Sequence, residues 1–211
     1  HHVRLCLAAH HTSAHTHTYN ITDSPAAGTA YVSYDRAVVP RRNLVGTKGR
    51  GFYQTMANFN FERWGMIVGG NRHSRMVCEE AFKWASQRKV FGKTLISQPM
   101  IRFKLAQMIA EVESVHSMLE DVTFQMTKMT EEEIHQYLAG TIALLKYRQT
   151  RASTLVSDNA CQIFGGRALT QSGMGSVIEK FQKSFKFQAI LGGSEEIMAD
   201  FAIRQADKRA K

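Results

Sequence analysis

From Gly51 onward, apolar residues recur with a helical period through four long segments and a shorter fifth, joined by brief links. The first segment runs from about Gly51 to Gln87 and closes before Phe91-Gly92. It carries Gly65, Gly69 and Gly70, which lower helix propensity but allow another backbone to come close. The second starts at Pro99, a residue suited to a first helical turn, and lays Ile101, Leu105, Met108, Val112, Leu119, Val122 and Met126 mostly along one stripe. The third opens on a capping box, Thr130 with Glu133. It carries Ile134, Leu138, Ile142, Leu145, Ala152, Leu155 and Ile163 on its apolar face and stops at Gly165-Gly166. The fourth covers Ser176 to Ile190. After a break at Gly192-Gly193, Ser194 can cap a last helix running to Arg204. Long helices with short connections predict an antiparallel four-helix bundle.

Residues 1–47 read differently. Thr29 to Tyr34 is short, β-branched and aromatic, like a strand, and Val39-Pro40 with Asn43 to Gly46 reads as the exit from a sheet. The expected fold is therefore mainly α: a short β segment within 1–47 followed by a helical bundle over 48–211. No stretch approaches the ~18 apolar residues of a membrane span. Cys6, Cys78 and Cys161 are odd in number and far apart, which predicts free thiols in a reducing compartment rather than a disulfide framework or a zinc site.

The formal net charge is +9, but basic and acidic residues are interspersed and no Arg-rich run with aromatics appears. That pattern argues against a nucleic-acid partner, whereas phosphorylated cofactors fit it. Six of the nine histidines, His1, His2, His10, His11, His15 and His17, crowd the N-terminal end. Only His15 and His17 would share a strand face, short of the three or four ligands a metal needs, so a polar strand face or terminus is expected and no metal.

Glu62-Arg63 lies on the first helix, and the basic, glycine-punctuated turn Arg88 to Lys93 ends it. At ~1.5 Å per residue they stand roughly 39 Å apart, so they cannot serve the same end of one site. Taken alone, each motif has an ordinary reading. Glu62 is a solvated helical glutamate. Arg88 is a C-terminal helix cation, and Gly165-Gly166 is a C-cap. Ser194 is an N-cap, and Glu195 and Glu196 favour the dipole of the last helix.

The ordered array changes that weighting. Val39-Pro40, Asn43 to Gly46, Gly51-Phe52, Glu62-Arg63, Arg88 with Phe91-Gly92-Lys93, Gln98, Gln162 to Gly166, and Gly193 to Ile197 resemble the C-terminal part of the acyl-CoA dehydrogenases. The likeness covers about residues 28–205: the end of the family's middle β-domain plus its helical bundle. The family has three domains, so the likeness implies that the chain is a fragment, a truncated product or one piece of a longer polypeptide, without the N-terminal helical domain and the β-domain stretch that holds the flavin ring, and inactive on its own. It implies FAD as cofactor and an acyl-CoA thioester as substrate, with a proton lost from Cα and a hydride passing from Cβ to flavin N5.

Many members carry the base at the position of Gly192, where glycine has no side chain to act. Long-chain and isovaleryl-type members place it in a Glu-Arg pair on the first bundle helix, so the resemblance makes Glu62 the base, ahead of its rivals Glu195 and Glu196, and leaves Gly192 its backbone N–H as donor to the thioester carbonyl. Arg63 and Asn60 would lie near the CoA moiety. Arg88, Phe91 and Gln98 match positions contacting the FAD of a neighbouring subunit. Gln162, Gly165 and Gly166 match the loop at the adenine and pyrophosphate, and Ser194 and Glu196 match flavin contacts. Lys183-Ser184 stands where the family commonly has Arg-Asp, which removes an ion pair, and Leu191 replaces a frequent aromatic.

The same likeness implies a homo-oligomer, dimer or tetramer. It implies electron-transfer flavoprotein or oxygen as acceptor, the latter in an acyl-CoA oxidase, and a mitochondrial or peroxisomal matrix or bacterial cytoplasm as location. A non-catalytic helical assembly domain without flavin is the alternative from another class.

Overall fold

Helix α1 (Gly51–Gln87) runs unbroken for 37 residues in the computed structural model, which describes residues 13–18, 30–35 and 38–210. It ends where Arg88 N bonds Trp84 O and the chain enters a hairpin of β3 (Lys89–Val90) and β4 (Lys93–Thr94). The hairpin's two turn residues, Phe91 and Gly92, have φ of 50° and 76°, the left-handed pair that a two-residue loop demands. Helix α2 (Pro99–Lys128) follows, with proline in its first turn.

The chain divides into two compact units, His1–Met56 and Ala57–Lys211. In the first, β1 (Ser13–Thr18) and β2 (Ala30–Asp35) pair antiparallel, with His15 opposite Ser33 and His17 opposite Tyr31. The readings of Cys6, His1, His2, His10 and His11 lie outside the described residues. Cys78 and Cys161 are free thiols.

The third expected helix forms in pieces. Thr130 and Glu133 make both bonds of the capping box around α3 (Glu131–Glu133). A π-helical turn, Ile134–Leu138, then precedes α4 (Ala139–Phe164). A π turn takes its carbonyls off the regular i to i+4 ladder. Arg209 supplies donors for two of them, bonding Gln136 O at 2.8 Å and also Tyr137 O. That contact needs α6 (Glu195–Ala210) to continue beyond Arg204, the limit expected from sequence. Lys208 and Arg209 in its last turn also suit the negative end of the helix dipole. Helix α5 (Ser176–Ile190) falls where the sequence places it. The ion pair expected to be missing at Lys183-Ser184 has a local replacement, because Lys183 pairs with Glu179 one turn away.

The four long helices α1, α2, α4 and α5 form the bundle, and α6 packs on α4. One core cluster joins Val77, Ala81 and Trp84 of α1 to Leu105, Met108 and Val112 of α2, Val156 and Phe164 of α4, and Ile178 and Phe181 of α5. A second gathers Ile67, Val115, Leu119, Ile142 and Leu145, and a third sets Met198 and Ala202 of α6 on Ala143. Burying each large side chain contributes about 1.5–3 kcal/mol, enough in sum to hold long helices that would be marginal alone.

Gly70 allows the close approach expected of it: a Cβ there would overlap the Gln149 amide of α4. Gly65 and Gly69 do not, since a Cβ at either would meet nothing within 4 Å among the described residues. Gly175, at the start of α5, has no spare room at all, because a Cβ would run into the backbone carbonyl of Arg167. Gly175→Ala should therefore cost about 1–3 kcal/mol through overpacking. A urea titration unchanged from wild type would contradict this packing of the 165–175 loop.

Candidate active site

Residues three and four apart share a helix face, so Phe59, Glu62, Gly65, Met66 and Gly69 form one stripe along α1. That stripe lines a cavity of about 650 Å³, closed on its other side by Gln188, Leu191 and Gly192 at the end of α5. The bare α-carbons of Gly65 and Gly69 leave its floor open. Glu62 is solvent-exposed, and the Asn58 amide one turn earlier donates to its carboxylate. The structure thus brings a carboxylate of α1 and the Gly192 backbone of the turn after α5 to one cavity.

Arg63 follows Glu62 by one residue and so faces inward. It is only 8% exposed. Its Nε donates to Gly192 O at 2.9 Å, and its guanidinium lies over the Phe59 and Phe201 rings at 5.3 and 5.9 Å. From α4, Lys146 reaches the next carbonyl, Nζ donating to Gly193 O at 2.6 Å, while its side chain is 1% exposed. Two buried cations thus hold two successive carbonyls of one turn. Gly192 and Gly193 have φ of 70° and 118°, values that L side chains rarely adopt, and a Cβ on Gly192 would also press into the Met66 methyl.

The cations feel their burial. Desolvation lowers the Arg63 pKa against the opposing pull of Glu62. Desolvation, then repulsion from Arg63, brings Lys146 down to about 8, with Glu195 pulling the other way. Glu195 keeps one carboxylate oxygen buried without a hydrogen-bond partner among the described residues and sits 3.5 Å from Arg151.

Asn60 points elsewhere. It is buried, its amide meets His135 Nδ1 at 3.0 Å, and it does not line the cavity. Arg63 is likewise occupied by the turn. Ser194 Oγ accepts from Ile197 N at 3.5 Å, the N-cap geometry of α6. Bonds from its own backbone N–H and from the Ser194 hydroxyl lower the pKa of the exposed Glu196.

At the far end of α1 a second cavity, about 590 Å³, is lined by Trp84, Arg88, Gln162, Gly165, Gly166 and Arg167 among others. The Arg88 and Arg167 guanidiniums lie 6.0 and 5.5 Å from the Trp84 ring, which stacks on Phe164. Gly165 has φ 60°, and a Cβ on Gly165 or Gly166 would meet nothing within 4 Å among the described residues. Gln98 and Phe91 stand outside this lining. Gln98 is half-buried and its carbonyl starts α2 by accepting from Ile101 N and Arg102 N. Phe91 is 97% exposed at the hairpin tip.

Sequence reasoning passed over Lys146 and Arg167. Lys146 had a signal, since it follows Ile142 by four residues and so falls on the same buried face as that apolar position. Arg167 immediately follows the glycine pair, where the helix reading ended.

A family model described as "Acyl-CoA dehydrogenase, C-terminal domain" matches residues 49–206. The chain therefore belongs to the acyl-CoA dehydrogenase family and carries its C-terminal helical domain. It is 35% identical to the acyl-CoA dehydrogenase apdG of Emericella nidulans over 87% of this chain and 42% of that protein. It is 32% identical to the acyl-CoA dehydrogenase AFT10-1 of Alternaria alternata, over 87% of this chain and 43% of that one. The chain thus spans less than half the length of these relatives. A glutaryl-coenzyme A dehydrogenase structure with glutaryl-CoA shares the fold at TM-score 0.80 and 22% identity, covering 92% of this chain and 47% of that one.

The buried lysine gives the domain a pH signature. Its folded-state pKa, about 8, lies below the ordinary 10.5. Below pH 8 both states hold the proton and the burial cost is fully present. Between about pH 8 and 10.5 the unfolded chain binds more protons, so this group makes stability rise with pH. Urea unfolding of wild type and Lys146→Met across that window should show the rise attributable to Lys146 only in wild type; identical slopes would contradict it.

Proposed function

We propose that the complete protein carries out FAD-dependent α,β-dehydrogenation of acyl-CoA thioesters, and that this chain supplies the base and the carbonyl donor. The observation that carries the reading is the single cavity lined by Glu62 and Gly192. A thioester α-proton is weakly acidic, so a base removes it efficiently only where charge on the carbonyl oxygen is stabilised as it forms. Glu62 takes the proton from Cα, with Asn58 orienting its carboxylate. The Gly192 N–H polarises the thioester carbonyl. Base and donor come from separate segments, so a glycine at 192 costs the site nothing. Arg63 serves the turn, and Asn60, through His135, braces the helix behind Glu62.

The second cavity fits a diphosphate-bearing cofactor. Two guanidiniums fixed over one indole match paired phosphate oxygens, and the glycines beside them admit close backbone approach. Arg88, Gln162, Gly165, Gly166 and Arg167 would hold FAD there, Ser194 and Glu196 would meet flavin at the other end, and FAD when bound accepts the hydride from Cβ. Because the two cavities are lined by well-separated stretches, 59–69 of α1 and Trp84 to Arg88 at its end, they serve different flavins, and the protein works as a homo-oligomer. Phe91, almost wholly exposed in a left-handed turn, and Gln98 are the groups on this side that a neighbouring subunit's cofactor would touch. Residues 1–47 are read as the remaining strands of the middle β-domain and 48–211 as the bundle domain. Electron-transfer flavoprotein or oxygen takes the electrons onward.

In the full-length protein, Glu62→Gln should lower kcat by about 10²–10⁴-fold with little change in flavin content, the range expected for losing a general base. Unchanged turnover would place the base elsewhere. Arg88→Ala combined with Arg167→Ala should strip flavin, read as lost absorbance in the purified protein; full retention would remove the second cavity from the cofactor site.

A further inference from the structure

We propose that Lys146 is a positioning residue for the reaction: its ammonium, buried behind the Gly192-Gly193 turn, holds the turn so that the Gly192 N–H faces the cavity lined by Glu62. The inference rests on the acyl-CoA reading above. Nothing in the bundle's packing asks for a cation here. The preceding positions Ile142, Ala143 and Leu145 are fully buried and apolar, the following Gln149 and Thr150 are buried but uncharged, and a lysine in such surroundings costs folding free energy. The ammonium also lies close enough to Arg63 to be repelled by it, with Glu195 as the offsetting charge.

What the lysine obtains is one short bond, to Gly193 O at 2.6 Å. In a trans peptide the N–H points opposite the C=O. Drawing the Gly192 and Gly193 carbonyls inward, to Arg63 and Lys146, therefore turns the N–H groups of Gly193 and Ser194 outward. It also fixes the backbone of Gly192 from its C-terminal side. Two successive glycines have broad conformational freedom, and without these bonds the turn could adopt several arrangements. The Gly192 N–H would then be aimed at the thioester oxygen in only some of them. A donor preorganised for the charged oxygen is worth far more than one that must be ordered during the reaction. Lys146 thus provides orientation at the expense of stability.

The test uses the full-length FAD-loaded protein with Lys146→Met, and Lys146→Gln as a milder variant that carries the comparison alone if Lys146→Met does not fold. Two non-reacting ligands separate the roles: a 2,2-dimethylacyl-CoA, which keeps the thioester carbonyl but has no α-proton, and an alkyl-CoA thioether, which lacks the carbonyl. Calorimetric Kd values should rise about tenfold for the thioester and stay within about twofold for the thioether. Amide exchange across 191–194 should speed up while the rest of the bundle is unchanged. Equal loss for both ligands, loss for neither, or unchanged exchange in the turn would overturn the proposal. If wild type binds neither ligand, the acyl-CoA reading fails, and the exchange result alone decides whether Lys146 holds the turn.

Discussion

Two buried cations bonded to two adjacent glycine carbonyls are the constraint around which this domain is arranged. Arg63 comes from α1, Lys146 from α4, and the turn they hold joins α5 to α6. Four helices thereby meet at one point. Cations sunk this far from water are tolerated only where hydrogen bonds and a nearby carboxylate compensate. Here the acceptors are peptide carbonyls, with Glu195 supplying the opposite charge. The arrangement favours a defined backbone geometry over maximal stability, which is how functional sites commonly depart from the rules of core packing.

The α1 helix distributes its chemistry by phase. Residue 62 faces the cavity, residue 63 faces the core, and residues 65 and 69 leave space rather than fill it. A side chain at 65 or 69 would narrow the floor beneath the carboxylate. At the other end of the same helix, Trp84 is both core and platform: one neighbour is Phe164, and two arginines lie beside its ring. One helix therefore contributes residues to both cavities.

Most of the helical architecture was legible in the sequence. The Gly51–Gln87 segment, the proline start of α2, the Thr130 capping box and the glycine breaks each act through local chemistry, and local chemistry is what a sequence displays. The π turn at Ile134–Leu138 was not legible, because it depends on Arg209, some seventy residues away, taking up the displaced carbonyls. The length of α6 was missed for the same reason. Among the site residues, the phase of α1 separates Glu62 from Arg63, but only the fold reveals that Arg63 is committed to Gly192 and Asn60 to His135. Lys146 was overlooked because a lone lysine in a helix is ordinarily a surface residue, and Arg167 because a glycine pair reads as the end of a helix rather than the edge of a cavity.

The central claim is that Glu62 removes the α-proton in the cavity it shares with Gly192. An acyl-CoA without a β-hydrogen cannot complete the oxidation, so deuterium uptake at its Cα from D₂O isolates the proton step in the FAD-loaded full-length protein. The account predicts uptake with wild type and its loss in Glu62→Gln. Uptake by Glu62→Gln at the wild-type rate would contradict it.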